Sequence, residues 1–298
     1  MAGIPFVRDL TFKYGEVARV SPRIRRVIAE NPGPFTFLGT GVYIVGKGEV
    51  AVIDPGPVID AHFEAIKAAV AGERITHVFT THTHLDHSPL AHPLATWAGC
   101  KVYGRPDPNV AHVEVSLDED GEAGFKPDVL VNDGDVFSGP DWTLEAITTP
   151  GHMSNHVCYA LKEEAALFSG DHIMGWSTTV ISPPDGNMRQ YFASLDKIRA
   201  RGFSTLWPTH GPPVTDVAPF IDAYATHRRA REAAILERIR AGDTLIPDMV
   251  KVIYKDVDKR LHAPAAHSVL AHVIQLVEEG RVIADGPLTL AAHYRPAG

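Results

Sequence analysis

Apolar positions along this chain fall into short runs that repeatedly end in a polar cluster containing histidine or aspartate. The stretch Thr36–Asp54, TFLGTGVYIVGKGEVAVID, carries β-branched and aromatic residues in two runs broken by Gly46, Lys47 and Gly48, which predicts a β-hairpin. Helical apolar spacing over Asp60–Ala71 predicts a helix. Ile75–Thr81 then predicts a short buried strand ending at the polar cluster His82–His87. Ser88 and Pro89 have the character of the cap and first turn of a following helix. Strand-like runs recur at Trp142–Thr148, His156–Leu161 and Ala165–Ser169. A helix is predicted over Met188–Arg201, followed by a short strand, Thr205–Trp207, and the loop Pro208–Gly211. Strands alternating with helices, with polar residues at strand ends, imply a layered α/β domain whose site is made of loops.

From about Arg228 the texture changes. A helix (RRAREAAILERIRAG), a short helix around Pro247–Tyr254 and a third helix over Ala265–Glu279 precede Arg281–Tyr294, a hairpin expected to turn at Asp285-Gly286. Three helices and a hairpin make a winged-helix-like module. The division expected is a catalytic domain over 1–221 and this module over 222–298. No repeat or low-complexity linker separates them, so the module is expected to pack on the main domain.

Composition narrows the chemistry. A hydrophobic fraction of 45% with 21% charged residues suits a globular protein of 298 residues, and apolar stretches break before the roughly 20 residues a membrane helix needs. The N-terminus has no basic region leading into an apolar run, so a cytoplasmic location without membrane attachment is expected. Cys100 and Cys158 are too few for a disulfide framework and form no CxxC zinc motif; two buried thiols are expected. The net charge of −8 is uneven. The stretch 222–298 holds 11 Lys and Arg against 10 Asp and Glu, about +1, leaving 17 against 26, or −9, for the rest. An acidic body disfavours tight nonspecific binding of polyanions. The chain holds 16 histidines, and histidine is the commonest metal ligand.

Their positions are decisive. His82-Thr83-His84-Leu85-Asp86-His87 follows the predicted strand, and the chain's own 16 His and 21 Asp would produce such a pattern by accident roughly 0.003 times. At a strand end alternate side chains point the same way, so His82 and His84 can grip one ion while Asp86 and His87 turn toward another. Further ligands must come from other strand ends. The candidates are His152 in Thr149-Pro150-Gly151-His152, Asp171 in Ser169-Gly170-Asp171-His172, and His210 in Pro208-Thr209-His210-Gly211, each beside a glycine that permits close backbone approach. Imidazole and carboxylate donors suit zinc; iron and manganese are also tolerated. Asp54, at the end of its predicted strand, either holds a ligating histidine by its second nitrogen or simply forms a turn.

HTHLDH, then PGH, then SGD, then a histidine before glycine resembles, in order and spacing, the metallo-β-lactamase superfamily. The resemblance implies a four-layer αβ/βα sandwich with a small C-terminal winged-helix-like domain. It further implies two divalent metal ions, with His82, His84 and His152 on the first, Asp86, His87 and His210 on the second, and Asp171 bridging. Asp86 would be both ligand and catalytic residue, orienting the attacking water or accepting its proton. Over nearly the whole chain the sequence is similar to the mitochondrial endoribonuclease branch, beta-lactamase-like proteins with a C-terminal winged helix. It departs from that branch where Thr-Asn-Thr-Tyr is replaced by Thr40-Gly41-Val42-Tyr43. It also resembles fungal thioesterases that release polyketides from carrier protein.

A binuclear metal-dependent hydrolase using a metal-bridging hydroxide is therefore expected, acting on a small ester or acyl-thioester. The alternative is an endoribonuclease or phosphodiesterase on single-stranded RNA; a one-metal iron oxygenase of the same fold ranks third. Arg228, Arg229, Arg231, Arg238 and Arg240 on the first C-terminal helix favour nucleic acid, but Glu232 and Glu237 interleave them and the third helix lacks Lys and Arg. The module is instead expected to pack, line the cleft or mediate a homodimer. His156 and His172 are expected beside the site rather than in it. His62, His77, His92, His112, His227, His262, His267, His272 and His293 are expected at the surface or in packing. Thr178 and Thr179 either line the cleft or form a turn.

Overall fold

The computed structural model describes residues 3–108 and 121–298; His112 lies outside them. Its first sheet holds β1 (Ala18–Arg19), β2 (Ile24–Ile28), β3 (Gly41–Val45), β4 (Glu49–Ile53), β5 (Arg74–Phe79), β6 (Lys101–Gly104) and β7 (Val129–Leu130), with α1 (Asp60–Ala69) and α2 (Ala91–Ala98) between strands. The second holds β8 (Val136–Ser138), β9 (Thr143–Thr148), β10 (Val157–Leu161), β11 (Ala166–Gly170) and β12 (Thr205–Pro208), with α3 (Met188–Arg199) before β12 and α4 (Val217–Arg240) after it. The strands of the first sheet lie in sequence order; those of the second run β12-β11-β10-β9-β8.

Side-chain alternation explains the layering. On β3, Val42 and Ile44 face α1 and α2, whereas Tyr43 and Val45 face the second sheet. On β10, Val157, Tyr159 and Leu161 face the first sheet, whereas Cys158 and Ala160 face α3 and α4. A strand covered on both faces is apolar throughout, as GVYIV and VCYAL are. The four layers expected from the sequence result: helices, sheet, sheet, helices.

The topology also gathers the site. β4 and β5 run parallel, as do β11 and β12, and β9 runs alongside them because both β9 and β11 are antiparallel to β10. The C-terminal ends of β9, β11 and β12 therefore share one edge of the second sheet. Two tyrosines buried between the sheets tie this edge to the first sheet: Tyr159 donates to Thr80 O (2.9 Å) just past β5, and Tyr43 to Pro208 O (2.6 Å) at the end of β12. Such buried hydroxyls require acceptors, so the loops they meet are held in place.

The chain continues through α5 (Ile246–Ile253), α6 (His262–Glu278), β13 (Val282–Asp285) and β14 (His293–Pro296), the expected three helices and hairpin with α4 as the first helix. Three boundaries differ from expectation. The helix expected from Arg228 begins at Val217, so the junction at 221/222 falls inside it. Pro219 lies in its first turn, where a proline costs no hydrogen bond. Phe220, Ile221 and Tyr224 on α4 join the core under the second sheet, whereas Ile235, Leu236 and Ile239 join the C-terminal core, so one helix belongs to both. The final hairpin does not turn at Asp285-Gly286. Asp285 pairs with His293, leaving a long connection in which Pro287 has no N–H for a ladder and Thr289 accepts from the Tyr294 hydroxyl (2.6 Å). Helix α2 also starts later than Ser88-Pro89, because the Ser88 hydroxyl is taken up by Glu122 (2.5 Å) instead of capping a helix. No helix among the described residues is long and apolar enough to cross a membrane.

Candidate metal centre

The seven side chains singled out in the sequence converge. Three sets bring their donor atoms within 4.8 Å of one another: His82, His84 and His152; His82, His87 and Asp171; and Asp86, His87 and His210. His84 Nδ1 lies 2.9 Å from His82 Nε2 and 3.2 Å from His152 Nε2. His210 Nε2 lies 2.9 Å from Asp86 Oδ2, 3.3 Å from His87 Nε2 and 3.5 Å from Asp171 Oδ2. Ligands about 2.0 Å from a tetrahedral ion stand about 3.3 Å apart, so these spacings fit donors arranged round two cations. Asp171 Oδ1, buried and without a hydrogen-bond partner among the described residues, is a further acceptor.

The second ring nitrogens decide which atoms face inward. His152 Nδ1 lies 2.7 Å from Val180 O and His210 Nδ1 lies 3.2 Å from Gly39 O. A carbonyl only accepts, so each Nδ1 carries a proton and each Nε2 is the atom turned toward the cluster. His87 Nδ1 donates likewise to Asp54 Oδ2 (3.0 Å), and His82 Nδ1 meets the Thr81 hydroxyl (3.0 Å), which itself donates to Asp54 (2.7 Å). One buried carboxylate thus orients His87 directly and His82 through Thr81. Asp54 also accepts from Thr81 N (2.7 Å) and the Thr209 hydroxyl (2.8 Å), so it joins the ends of β4, β5 and β12, and it does so from a left-handed backbone (φ 49°). Of its two readings the histidine-holding one is realised. Gly170 is demanded here as well: its φ is +50°, and a Cβ would meet His156 Nε2 at 2.6 Å and Thr81 Oγ1 at 2.8 Å.

Charge divides the centre into two halves. Burial, then the neighbouring rings, hold His82 and His84 well below the ordinary histidine value, and burial lowers His152 also. These three are neutral and ready to donate lone pairs. Burial would depress His87 and His210 too, but Asp86 and Asp171 overcome it and raise both. The same pairing outweighs the burial that would raise Asp86 and holds it at about 2, with Asp171 well below the carboxylate range. The half containing Asp86, His87, Asp171 and His210 is therefore a nest of carboxylates compensated by protons, which a cation entering it would displace. Asp86 is the most open of the four at 24% side-chain exposure, against 9% for Asp171, so it faces the solvent side.

The neighbours behave as supports. His156 accepts from Asp171 N (3.2 Å) and bonds the Thr149 hydroxyl (2.8 Å), fixing Asp171 without joining a donor set. His172 is buried edge-on to Tyr191, with ring centroids 5.0 Å apart. The Thr179 hydroxyl donates to Asp171 O (2.8 Å), bracing the turn at Asp171–His172, while Thr178 and Thr179 line a cleft rather than form a turn themselves. Cys158 is buried and Cys100 half-buried, and both are free thiols. The sequence reading missed that His227, Arg228 and Arg231 line the same cleft. Their interleaving with glutamates concealed it, because Glu232 turns away to pair with Arg281 (2.7 Å).

The family model of the metallo-beta-lactamase superfamily matches residues 36–210, and that of the beta-lactamase associated winged helix domain matches residues 246–287. The chain is similar to the beta-lactamase-like protein 2 homolog of Caenorhabditis elegans, 28% identical over 275 residues covering 89% of this chain and 88% of the relative. An atrochrysone carboxyl ACP thioesterase of Paecilomyces divaricatus is 30% identical over 280 residues, covering 90% and 83%. Among solved structures, a beta-lactamase domain protein from Burkholderia ambifaria superposes with a TM-score of 0.82 at 20% identity, covering 97% of this chain and 96% of that one.

Proposed function

Because the chain belongs to the metallo-beta-lactamase superfamily, we propose that this metal-dependent hydrolase works with two divalent ions and cleaves an ester or thioester. Zinc fits the nitrogen and carboxylate donors; iron and manganese would fit them too. The observation that carries the binuclear reading is the pinning of second ring nitrogens, which leaves lone pairs converging at two adjacent positions. His82, His84 and His152 would hold the first ion, Asp86, His87 and His210 the second. Asp171, whose Oδ2 approaches both His87 and His210 while its set includes His82, would lie between them. When bound, the ions lower the pKa of water toward about 7 and polarise the scissile carbonyl. Asp86, ionised and solvent-facing, orients the incoming water and takes up its proton. No side-chain nucleophile is required.

Asp54 makes the orientation testable. Asp54→Asn retains volume but loses the carboxylate that accepts from His87 and Thr81. We expect affinity for the second ion to fall about 10- to 100-fold, the usual effect of losing a partner behind a ligand, as read by competition with a chromophoric chelator. Unchanged affinity would show that His87 needs no such support.

An ester or thioester is favoured over RNA for two reasons. The thioesterase named above is similar over most of both chains. And α6, the position of a recognition helix, is buried without a break from Ala265 to Val273 and carries no Lys or Arg there, so it offers no face to a groove. Hydrolysis of an acyl-thioester or aryl ester should exceed cleavage of single-stranded RNA in a side-by-side assay, with Asp86→Ala excluding contaminating nuclease. Efficient, steeply salt-dependent RNA cleavage without ester turnover would establish the nuclease instead.

A further inference from the structure

Between the catalytic layers and the C-terminal module lies a cleft of about 360 Å³, within the range of small-molecule sites. Its walls include Phe35, Trp176 and Tyr254, with Arg8, Arg228 and Arg231 among them and, among the described residues, no acidic one. Arg228 is only 4% exposed, yet among the described residues neither it nor Arg231 forms an ion pair. Arg228 donates to Thr179 O and lies over the Tyr191 ring; Arg231 donates to Ile253 O (3.2 Å) and lies 4.0 Å from the Tyr254 ring centre. Among the described residues neither guanidinium Nε has an acceptor, and the same holds for the Trp176 indole nitrogen. The His227 Nδ1 is also unpartnered, and burial together with the two arginines brings that ring down to about 4. Buried cations normally find a carboxylate, and donors left without acceptors cost free energy. Here Arg228, Arg231 and Trp176, each with such a donor, line one cleft of a protein of net charge −8.

We propose that this cleft binds a small organic carboxylate, a flat or aliphatic body lying among the aromatic walls with its anionic oxygens on Arg231 and Arg228. The wall is shared with the metal centre: Thr179 bonds Asp171 O, and Val180 O receives His152 Nδ1. Resting on the hydrolase reading above, the bound molecule is the acyl part of the substrate, an ester or thioester that carries a separate carboxylate. A guanidinium fork is suited to this group because it can give a carboxylate two parallel hydrogen bonds.

Calorimetric titration of the metal-replete protein with 2-naphthoate and with the neutral 2-naphthamide tests it. Naphthoate should bind at least about tenfold more tightly than the amide, the scale of one charge-assisted contact. Arg231→Met, at a half-buried position with the metal donors intact, should erase that preference. Equal affinities for the two compounds in the wild-type protein, a comparison that needs no variant, would overturn the proposal. Undiminished naphthoate binding by Arg231→Met would overturn it too, since the anion would then not be held by Arg231. Displacement of naphthoate by a single-stranded oligonucleotide at lower concentration, lost in Arg231→Met, would assign the cleft to nucleic acid. Naphthoate selectivity in a metal-replete wild-type preparation inactive on esters and thioesters both with and without a separate carboxylate would uphold the site and remove the hydrolase reading.

Discussion

Asp86→Ala should reduce ester or thioester turnover on the order of 10³-fold or more while leaving the fold in place. Two roles vanish together, one ligand of the second ion and the acceptor that orients water; groups of the second kind alone contribute about 10²- to 10⁴-fold. The fold should survive because, among the described residues, the Asp86 carboxylate pairs with His87 (3.5 Å) and His210 (2.9 Å) and holds no backbone group. Metal-free stability should fall, because His87 and His210 lose one of the two carboxylates that compensate their charge, but Asp171 still faces both rings and no backbone contact is removed. The carboxyl is held at about 2, so Asp86 is ionised throughout the neutral range and no change of pH in that range should mimic the variant. Kinetics and circular dichroism on the same preparation decide the matter. A near-normal rate would mean that the site has been assigned wrongly.

Removal of metal is the second large effect. Chelation at neutral pH should take activity to background and lower the melting temperature. A site filled at 1,000 times its Kd stabilises by about 4 kcal/mol, which for a domain of this size shifts Tm by roughly 10 °C. Acid should assist stripping, and the sign follows from the protons. His87 and His210 have raised values without metal, so below those values a cation must displace bound protons, and affinity falls about tenfold per pH unit for each proton displaced. His82, His84 and His152 are depressed instead, so their half should retain its ion to lower pH.

Much of the site was legible because its chemistry is written in short, strand-terminal motifs. A pleated strand that ends in HTHLDH can only present those groups at its tip, and PGH, SGD and the histidine before Gly211 sit at the ends of β9, β11 and β12 for the same reason. The supports were less visible. Val180 O and Gly39 O, which set the protonated nitrogens of His152 and His210, are backbone atoms and leave no mark in a sequence. Strand β2, IRRVI, was not foreseen, since two arginines disguise a core strand. Arg26 is 5% exposed because it donates to Gly211 O (3.1 Å) across the sheet edge, and Arg25 pairs with Glu73 (2.6 Å). The early start of α4 was hidden by its change of partner: its apolar residues serve one core and then another, so no single stripe runs along it. Arg228 looked like part of a cationic helix face, and only its burial beneath Thr179 and Tyr191 separates it from the exposed Arg229 and Arg240.

Stepwise reloading of the stripped protein tests the binuclear hydrolase most directly. Zinc is added in fractions of an equivalent, with bound metal and thioester hydrolysis measured at each step. The arrangement of His82, His84 and His152 beside Asp86, His87 and His210, with Asp171 between them, predicts that activity climbs to a plateau at two ions per chain. Full activity at one ion, or a protein that holds a single iron and consumes dioxygen without hydrolysing the thioester, would contradict it.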